Sequence, residues 1–396
     1  MRGTARHNVK SESGLALLMV LVTVAVLAAI VVDFAYRVRI EVQIAANVRD
    51  STRAHYLARS AMNLSRLVLH YQGIQDRLTG GVVKLYQLIP IDSDLAGAFS
   101  SGDLARAWKT DASGVKTGFE DLGGSFHAEI TDEYGKINVN ALDSITSIAA
   151  PVAAQLLTMI GNQQYARMFE EPDADGQYNT PADIVLAMHD WIDADTTIDA
   201  FNPDMLLAAP FAQAVVFGPG TAAEDSRYDM LDDPYQNKNN PFLSVDELFM
   251  VRGVGDDFMD AFRDRLTVYT DPALLLNLTS VNDPVTMITL LCMQPENVAL
   301  CTEQGLPQLL EVISLFFEFR NLLQMTTFTV PNTQAIQAFF QSQGPAFNAY
   351  FLKNLAPFSD TFSVDAYGEA GEVRVKIHAV LKNTASGQEI LYWREE

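Results

Sequence analysis

The chain has 396 residues, 48% of them hydrophobic and 19% charged, enough for more than one packed core. Its net charge of −22 opposes a nucleic-acid role, because phosphate backbones are held mainly by Lys and Arg. No CxxC pair, Cys/His cluster, phosphate loop, nucleophile motif or paired metal histidines occur, which leaves zinc, nucleotide and hydrolase classes without their usual motifs.

Residues 1–14 carry Arg2, Arg6 and Lys10, with Glu12 the only acid. Leu15–Val32 then runs eighteen residues without a charge. At ~1.5 Å of rise per residue this reaches most of the way across a bilayer's hydrocarbon. The basic leader is expected on the cytoplasmic side and the bulk of the chain on the other, although Arg37 and Arg39 beyond the run blunt the asymmetry. Ala28 and Ala29 make a poor signal-peptidase site, because Ile30, Val31 and Val32 follow directly. From Phe34 to Leu69 there is neither proline nor glycine, and the next glycine is Gly73. Ile40, Ile44 and Val48 recur at four-residue spacing, and Leu57, Ala61, Leu64 and Val68 continue at three and four. One helix is predicted from about Leu15 to about Tyr71, its first half in lipid and its second half amphipathic.

Gly-Gly pairs at 80–81 and 123–124 break the pattern. "SFHAEITDEYGKINVNAL" alternates, which predicts two short strands around a turn at Glu133–Gly135, with Asn138 and Asn140 facing away from Ile137 and Val139. Residues 144–169 turn helical. A polar loop leads to "VLAMHDWIDADTTIDAFNPD", and a long acidic irregular stretch leads to "LSVDELFMVRGVGDDFMDAF". There Ser244 is expected to cap a helix with Glu247 in the reciprocal position. That helix should end at Gly253, and another should start at Asp256 or Asp257. Residues 284–355 are apolar-periodic and helical, broken by Pro295, Pro307, Pro331 and Pro345. Cys292 and Cys301, with eight residues between them, suit either one small disulfide loop or two buried thiols. The last forty residues read as a strand, a Gly-rich turn, a strand over 372–380, a polar turn and a strand over 389–393, an antiparallel meander.

"SGLALLMVLVTVAVLAAI" resembles the N-terminus of type IV pilin-like proteins, which prepilin peptidase cuts after a glycine, here Gly14, leaving Leu15 first. Most members carry a glutamate five residues into the mature chain, where this chain has Met19. That absence, together with "TDEYGKINVNAL", "DWIDAD", "AAEDSRY", "NNPFLSVDELFMVRGVG" and "ILYWRE" in this order, resembles the general secretion pathway protein K family, minor pseudopilins of type II secretion systems. "LLLNLTSVN" departs from the family's Asn-x-Asn-Thr-Ala, and residues 287–330 match least. The resemblance implies an α+β fold: a pilin-like long N-terminal helix packed on a small antiparallel sheet, with a large, mostly helical inserted domain. The expected divisions are a leader over 1–14, the helix over 15–72, a first pseudopilin part over 73–143, the insert over 144–270, a helical segment over 271–356 and returning strands over 357–396. It further implies a non-enzymatic subunit of the bacterial inner membrane with a periplasmic head, capping the tip of a pseudopilus. Its partners would be other minor pseudopilins and prepilin peptidase, not nucleic acid. Leu15, Met19, Ile40, Ile44 and Val48 would lie on the assembly helix. A minor pilin of a type IV pilus is the alternative within the same chemistry.

Carboxylates cluster at Asp190, Asp193, Asp195 and Asp199, and again at Glu224 and Asp225. "DADTTID" supplies them at its first, third and seventh positions, which on a loop can converge on a hard cation or simply face water. The resemblance implies calcium, held by Asp193, Asp195, Glu224 and Asp225, with Asp190 and Asp199 as second choices. "VRGVGDDFMDAF" resembles a helix-hairpin-helix DNA-binding pattern, but residues 224–271 hold twelve acids against five bases. His189 beside Asp190, and His127, suggest a general base only weakly: a histidine next to an acid on an amphipathic helix is usually a surface or satisfied core residue. Trp191 is placed beneath the acidic loop.

Overall fold

The computed structural model describes residues 12–93, 123–172, 176–200, 217–229, 231, 233–292, 295–302, 304–344 and 354–396. The first eleven leader residues and Pro345 lie outside them. The chain opens with one helix, α1 (Glu12–Thr79), 68 residues long and therefore about 100 Å. It passes the expected end near Tyr71 because Gly73 is packed rather than exposed: a Cβ there would sit 3.1 Å from Asn383, whose side-chain amide donates to the Leu69 carbonyl. The helix stops where Gly80 and Gly81 both take positive φ, with Gly80 N–H closing on Asp76 O.

Short α2 (Leu85–Leu88) and β1 (Ile91–Asp92) follow, then β2 (Ser125–Asp132) and β3 (Ile137–Asn138). Next come α3 (Thr146–Ile160), α4 (Arg167–Glu170), α5 (Pro181–Ile192), β4 (Thr197–Ala200) and β5 (Gly218–Ala223). The chain continues through α6 (Asp256–Phe262), β6 (Leu266–Thr267), α7 (Pro284–Cys292), α8 (Leu306–Thr327) and α9 (Thr333–Ser342). It returns as β7 (Thr361–Ala370), β8 (Val373–Thr384) and β9 (Gly387–Glu395). The main sheet has the order β1-β2-β7-β8-β9 and is antiparallel throughout. The C-terminal meander forms as expected, and β2 reaches it across 228 residues of sequence to lie against β7, Asp132 opposite Phe362. A mixed α+β architecture results, with the long helix laid on the sheet.

Two apolar cores form. The smaller joins Ala54, Leu57, Ala58, Ala61, Met62 and Leu69 of α1 to the inner face of the sheet, where Ile377, Ala379 and Leu381 of β8 alternate inward. Along β7 the inward positions shrink in order: Phe362, Val364, Ala366, Gly368. At the last, a Cβ would lie 2.0 Å from Ala54 O and 2.4 Å from Ala58 N, so helix and strand meet backbone to backbone. The larger core gathers α3, α5, α6, α7, α8 and α9, with Phe258, Phe262, Phe316 and Phe340 fully buried.

Three local expectations are corrected. Residues 125–139 are not a hairpin: β2 pairs with β7, and β3 pairs in parallel with β6, Ile137 opposite Leu266. Asp132 terminates β2 by accepting from Tyr134 N–H, which turns the chain out of the sheet. Asn138 and Asn140 then bind backbone groups of the helical lobe, Asn140 holding Phe242 from both its amide and its carbonyl. Ser244 caps nothing with its side chain, and residues Val245–Met250 wind as a 3-10 helix because Glu247 turns back to Leu243 N–H. Pro307 starts α8 rather than breaking a helix, since the first turn needs no N–H there. Of the two readings left open for the cysteines, the disulfide forms, joining Cys292 and Cys301.

Gly368→Ala should force α1 off β7 and cost about 3 kcal/mol, the upper end of overpacking effects. Gly14→Ala, where a Cβ would meet nothing within 4 Å, should not lower stability. Thermal melts of the detergent-solubilised chain followed by circular dichroism check both.

Candidate functional site

The first candidate site is the uncovered part of α1. No residue from Gly14 to Arg53 is buried, and an apolar window of mean hydropathy 3.2 lies wholly exposed. This is the one helix among the described residues long and apolar enough to cross a membrane. Leu15, Met19, Ile44 and Val48 stand exposed, and Ile40 is half-covered. From Ala54 onward the same helix is clothed by the sheet.

The second is an acidic pocket built at the end of α5. Thr180 and Asp183 close a reciprocal capping box, Pro181 occupies the first turn, and Ile184, Val185, Met188 and Trp191 sink into the larger core. That packing fixes the last turn, which delivers His189 and Asp190, and Asp193 N–H caps onto His189 O. Trp191 is buried, parallel to Phe242 and donating to Glu247 Oε1 at 3.3 Å. The β4–β5 arm folds over this end: Asp199 N–H donates to Asp190 Oδ1 at 2.9 Å, and Glu224 N–H donates to Thr196 O. Asp195 closes a tight turn by accepting from Thr197 N–H and Oγ1, both at 2.7 Å.

Two overlapping groups of donors result. One atom each from His189, Asp190, Asp193 and Asp199 lie within 4.8 Å of one another, and so do one each from Asp193, Asp195 and Glu224. Asp190 is 0% exposed, Glu224 2%, and His189 and Asp193 7%. Yet His189 Nδ1, Asp190 Oδ2, Asp193 Oδ1 and Glu224 Oε1 have no hydrogen-bond partner, nor do the amide oxygens of Asn237 and Asn239 beside them. Orphaned buried polar atoms are costly, and six on neighbouring residues mark this cluster as unsatisfied. Asp225 stands outside both groups; its Oδ1 is taken by Asn237 N–H at 3.0 Å.

Burial, reinforced by neighbouring carboxylates, pushes Asp190 and Asp193 up to about 7 and Asp199 up to about 6, and raises Glu224. Asp195 is held low by its Thr197 bonds. Burial lowers His189 to about 4. Such an array repels itself unless a proton or a cation enters.

No family model and no curated protein matches the chain. Among solved structures there is a similarity. It is to a chain in the crystal structure of the GspK-GspI-GspJ complex from the enterotoxigenic Escherichia coli type 2 secretion system, at 14% identity. The alignment covers 69% of this chain and 80% of that one, with a TM-score of 0.42.

The sequence singled out the carboxylates but set His189 aside, and it passed over Asn237, Asn239 and Arg227. Asn237 Nδ2 donates to Glu224 Oε2, Asn239 Nδ2 to Asp195 O, and Arg227 lies 3.4 Å from Asp190 Oδ2. The only available signal was the amide-rich run "QNKNN" after the second acidic group. At the helix-hairpin-helix-like turn, Asp256 and Asp257 are exposed at the start of α6, where a phosphate would have to approach.

Asp193→Asn tests the electrostatics. The folded, metal-free chain holds a proton on Asp193 up to about pH 7, whereas the ordinary value is 3.8, so stability is lost as pH rises through 7. The asparagine removes that loss. Without metal the variant should be more stable at pH 8 by roughly 1–3 kcal/mol, and the advantage should shrink by pH 5. Melts in chelator at the two pH values measure it.

Proposed function

We propose that this chain is a minor pseudopilin of a type II secretion system, processed by prepilin peptidase, anchored in the bacterial inner membrane and seated at the tip of the pseudopilus. The observation that carries the reading is α1: a single helix, bare and uncharged over Leu15–Val32, clothed by an antiparallel sheet at its end. The bare part suits lipid and the neighbouring helices of a bundle, and the clothed part holds the head. Gly14 fits the reading too. Inside a helix glycine costs about 1 kcal/mol relative to alanine, and nothing within 4 Å demands it, which leaves processing as its use. With Met19 where a carboxylate would neutralise the terminal amine of the subunit ahead, the chain is suited to having none ahead. The larger core adds bulk to the head that would obstruct a subunit stacked above. The Cys292–Cys301 disulfide suits an oxidising compartment such as the periplasm.

Calcium belongs to the same proposal. Asp193, Asp195 and Glu224 offer converging carboxylate oxygens, and the orphaned oxygens of Asn237 and Asn239 lie alongside, a hard-donor set of the kind calcium takes. Bound there, the ion would supply charge neutralisation and pin the β4–β5 arm to the end of α5. The role is structural, and the chain's own residues carry no reaction.

Gly14→Val should leave the leader attached, seen as an unshifted band after co-expression with prepilin peptidase, while the wild-type product should begin at Leu15. Normal processing of the variant would count against the assignment. Calcium should raise the melting temperature of the full chain in detergent, by about 2.7 kcal/mol of stability at a hundredfold excess over Kd. EGTA should reverse the rise and Glu224→Gln should abolish most of it. An unchanged melt, with no metal by elemental analysis, would remove the calcium claim.

A further inference from the structure

The cations flanking the bare part of α1 are distributed unusually. Arg2, Arg6 and Lys10 belong to the leader, so cleavage after Gly14 leaves no Lys or Arg before the apolar run. On the far side Arg37, Arg39 and Arg49 all fall within twenty residues of Val32, where positive charge is ordinarily sparse. The side-chain charges that can fix the depth of the mature rod in lipid are therefore those that follow Val32.

Phe34 and Tyr36 are 66% and 65% exposed, and Arg37 and Arg39 are exposed beside them. A hydrocarbon core of about 30 Å takes roughly twenty helical residues, so from Leu15 it ends near Phe34. Tyr36 to Arg39 then rise through the next ~3–8 Å, which is the depth of the headgroups. The two arginines differ. Arg37 is occupied, because its Nε donates to Asp33 Oδ2 at 2.9 Å and neutralises the first acid after the apolar run. Arg39 has Ala35, Tyr36, Val42 and Gln43 three and four residues away, with no carboxylate among them. Glu41, two positions on, does not face it.

We propose that Arg39, with the Tyr36 hydroxyl one turn before it, binds the phosphate of a phospholipid headgroup in the periplasmic leaflet and so sets the depth of the rod. A guanidinium presents a planar fork of donors that matches two phosphate oxygens, and tyrosine is favoured at this level of a bilayer. The chain's net charge of −22 opposes broad adhesion to an anionic surface, which confines the contact to this belt. The inference rests on the membrane-anchor part of the pseudopilin reading.

The test uses the full chain with Arg2→Gln and Arg6→Gln, so that leader arginines contribute nothing, labelled with 13C-arginine. It is reconstituted in vesicles of phosphatidylethanolamine and phosphatidylglycerol in phosphate-free buffer. Solid-state 13C–31P dephasing should place a guanidinium carbon in contact with lipid phosphorus. Arg39→Gln should lose most of that signal, Tyr36→Phe should reduce it, and Arg37→Gln should keep it. In detergent with inorganic phosphate and no phospholipid, the signal should be absent, which separates a headgroup from a free ion. The proposal is overturned if Arg39→Gln keeps the signal, if Arg37→Gln loses as much, or if free phosphate reproduces it. A chain that fails to float with the vesicles would remove the anchor reading as well. One that floats without the arginine contact would remove this inference alone.

Discussion

The architecture depends on one contact without side chains, the meeting of α1 with Gly368 of β7. Side chains of successive inward positions on β7 diminish from Phe362 through Val364 and Ala366 to nothing, so the strand offers the helix a ramp rather than a flat bed. Where the ramp ends, helix carbonyl and strand backbone touch, with Ala54 and Ala58 as the matching small residues. Gly124, just before β2, is also closely packed: a Cβ there would strike the β7 carbonyl of Glu369 and the Leu57 side chain of α1. Both contacts lie at the point where α1 leaves the sheet, and they separate the part of the helix that belongs to the head from the part that does not.

Beyond that contact, buried polar groups fall into two kinds. At the junction of the two cores they are closed circuits. Asp132 accepts from Ser280 and Ser359, and Asn277 donates to Ser359. Lys84, lowered to about 8 by burial, donates to Ser280 and faces Asp132 at 3.9 Å. Such networks stabilise when complete, because each member is satisfied. At the end of α5 the opposite holds: carboxylates, an imidazole and amide oxygens are desolvated and left open. Identical physics gives a structural seam in one place and an unsatisfied cluster in the other.

Much of the fold was legible because it is written in local periodicity. The unbroken run without glycine or proline from Phe34 to Leu69 foretold α1, and the alternation of the last forty residues foretold the meander. The partner of β2 was not legible, since Ser125–Asp132 pairs with a strand more than two hundred residues later, and alternation carries no address. The capping box was sought at Ser244 and exists at Thr180, because Glu247 is claimed by Leu243, Trp191 and Lys238 instead. At the acidic pocket, charge clustering identified Asp193, Asp195 and Glu224. Asp225 stands apart from these three in the structure, with one oxygen turned to Asn237. His189 was passed over because adjacency to an acid in sequence is uninformative; the folding of the β4–β5 arm, which brings Asp199 over the ring, gives it meaning.

A rod of this construction also has a mechanical corollary. Between Glu12 and Thr79 there is no proline, and between Gly14 and Gly73 no glycine, so nothing along some 100 Å acts as a hinge. Beyond Arg53 the rod is packed against β2, β7 and β8. A push or a twist applied at the bare apolar end therefore arrives at the sheet as the same push or twist, and the head travels as a rigid load on its shaft instead of nodding above it.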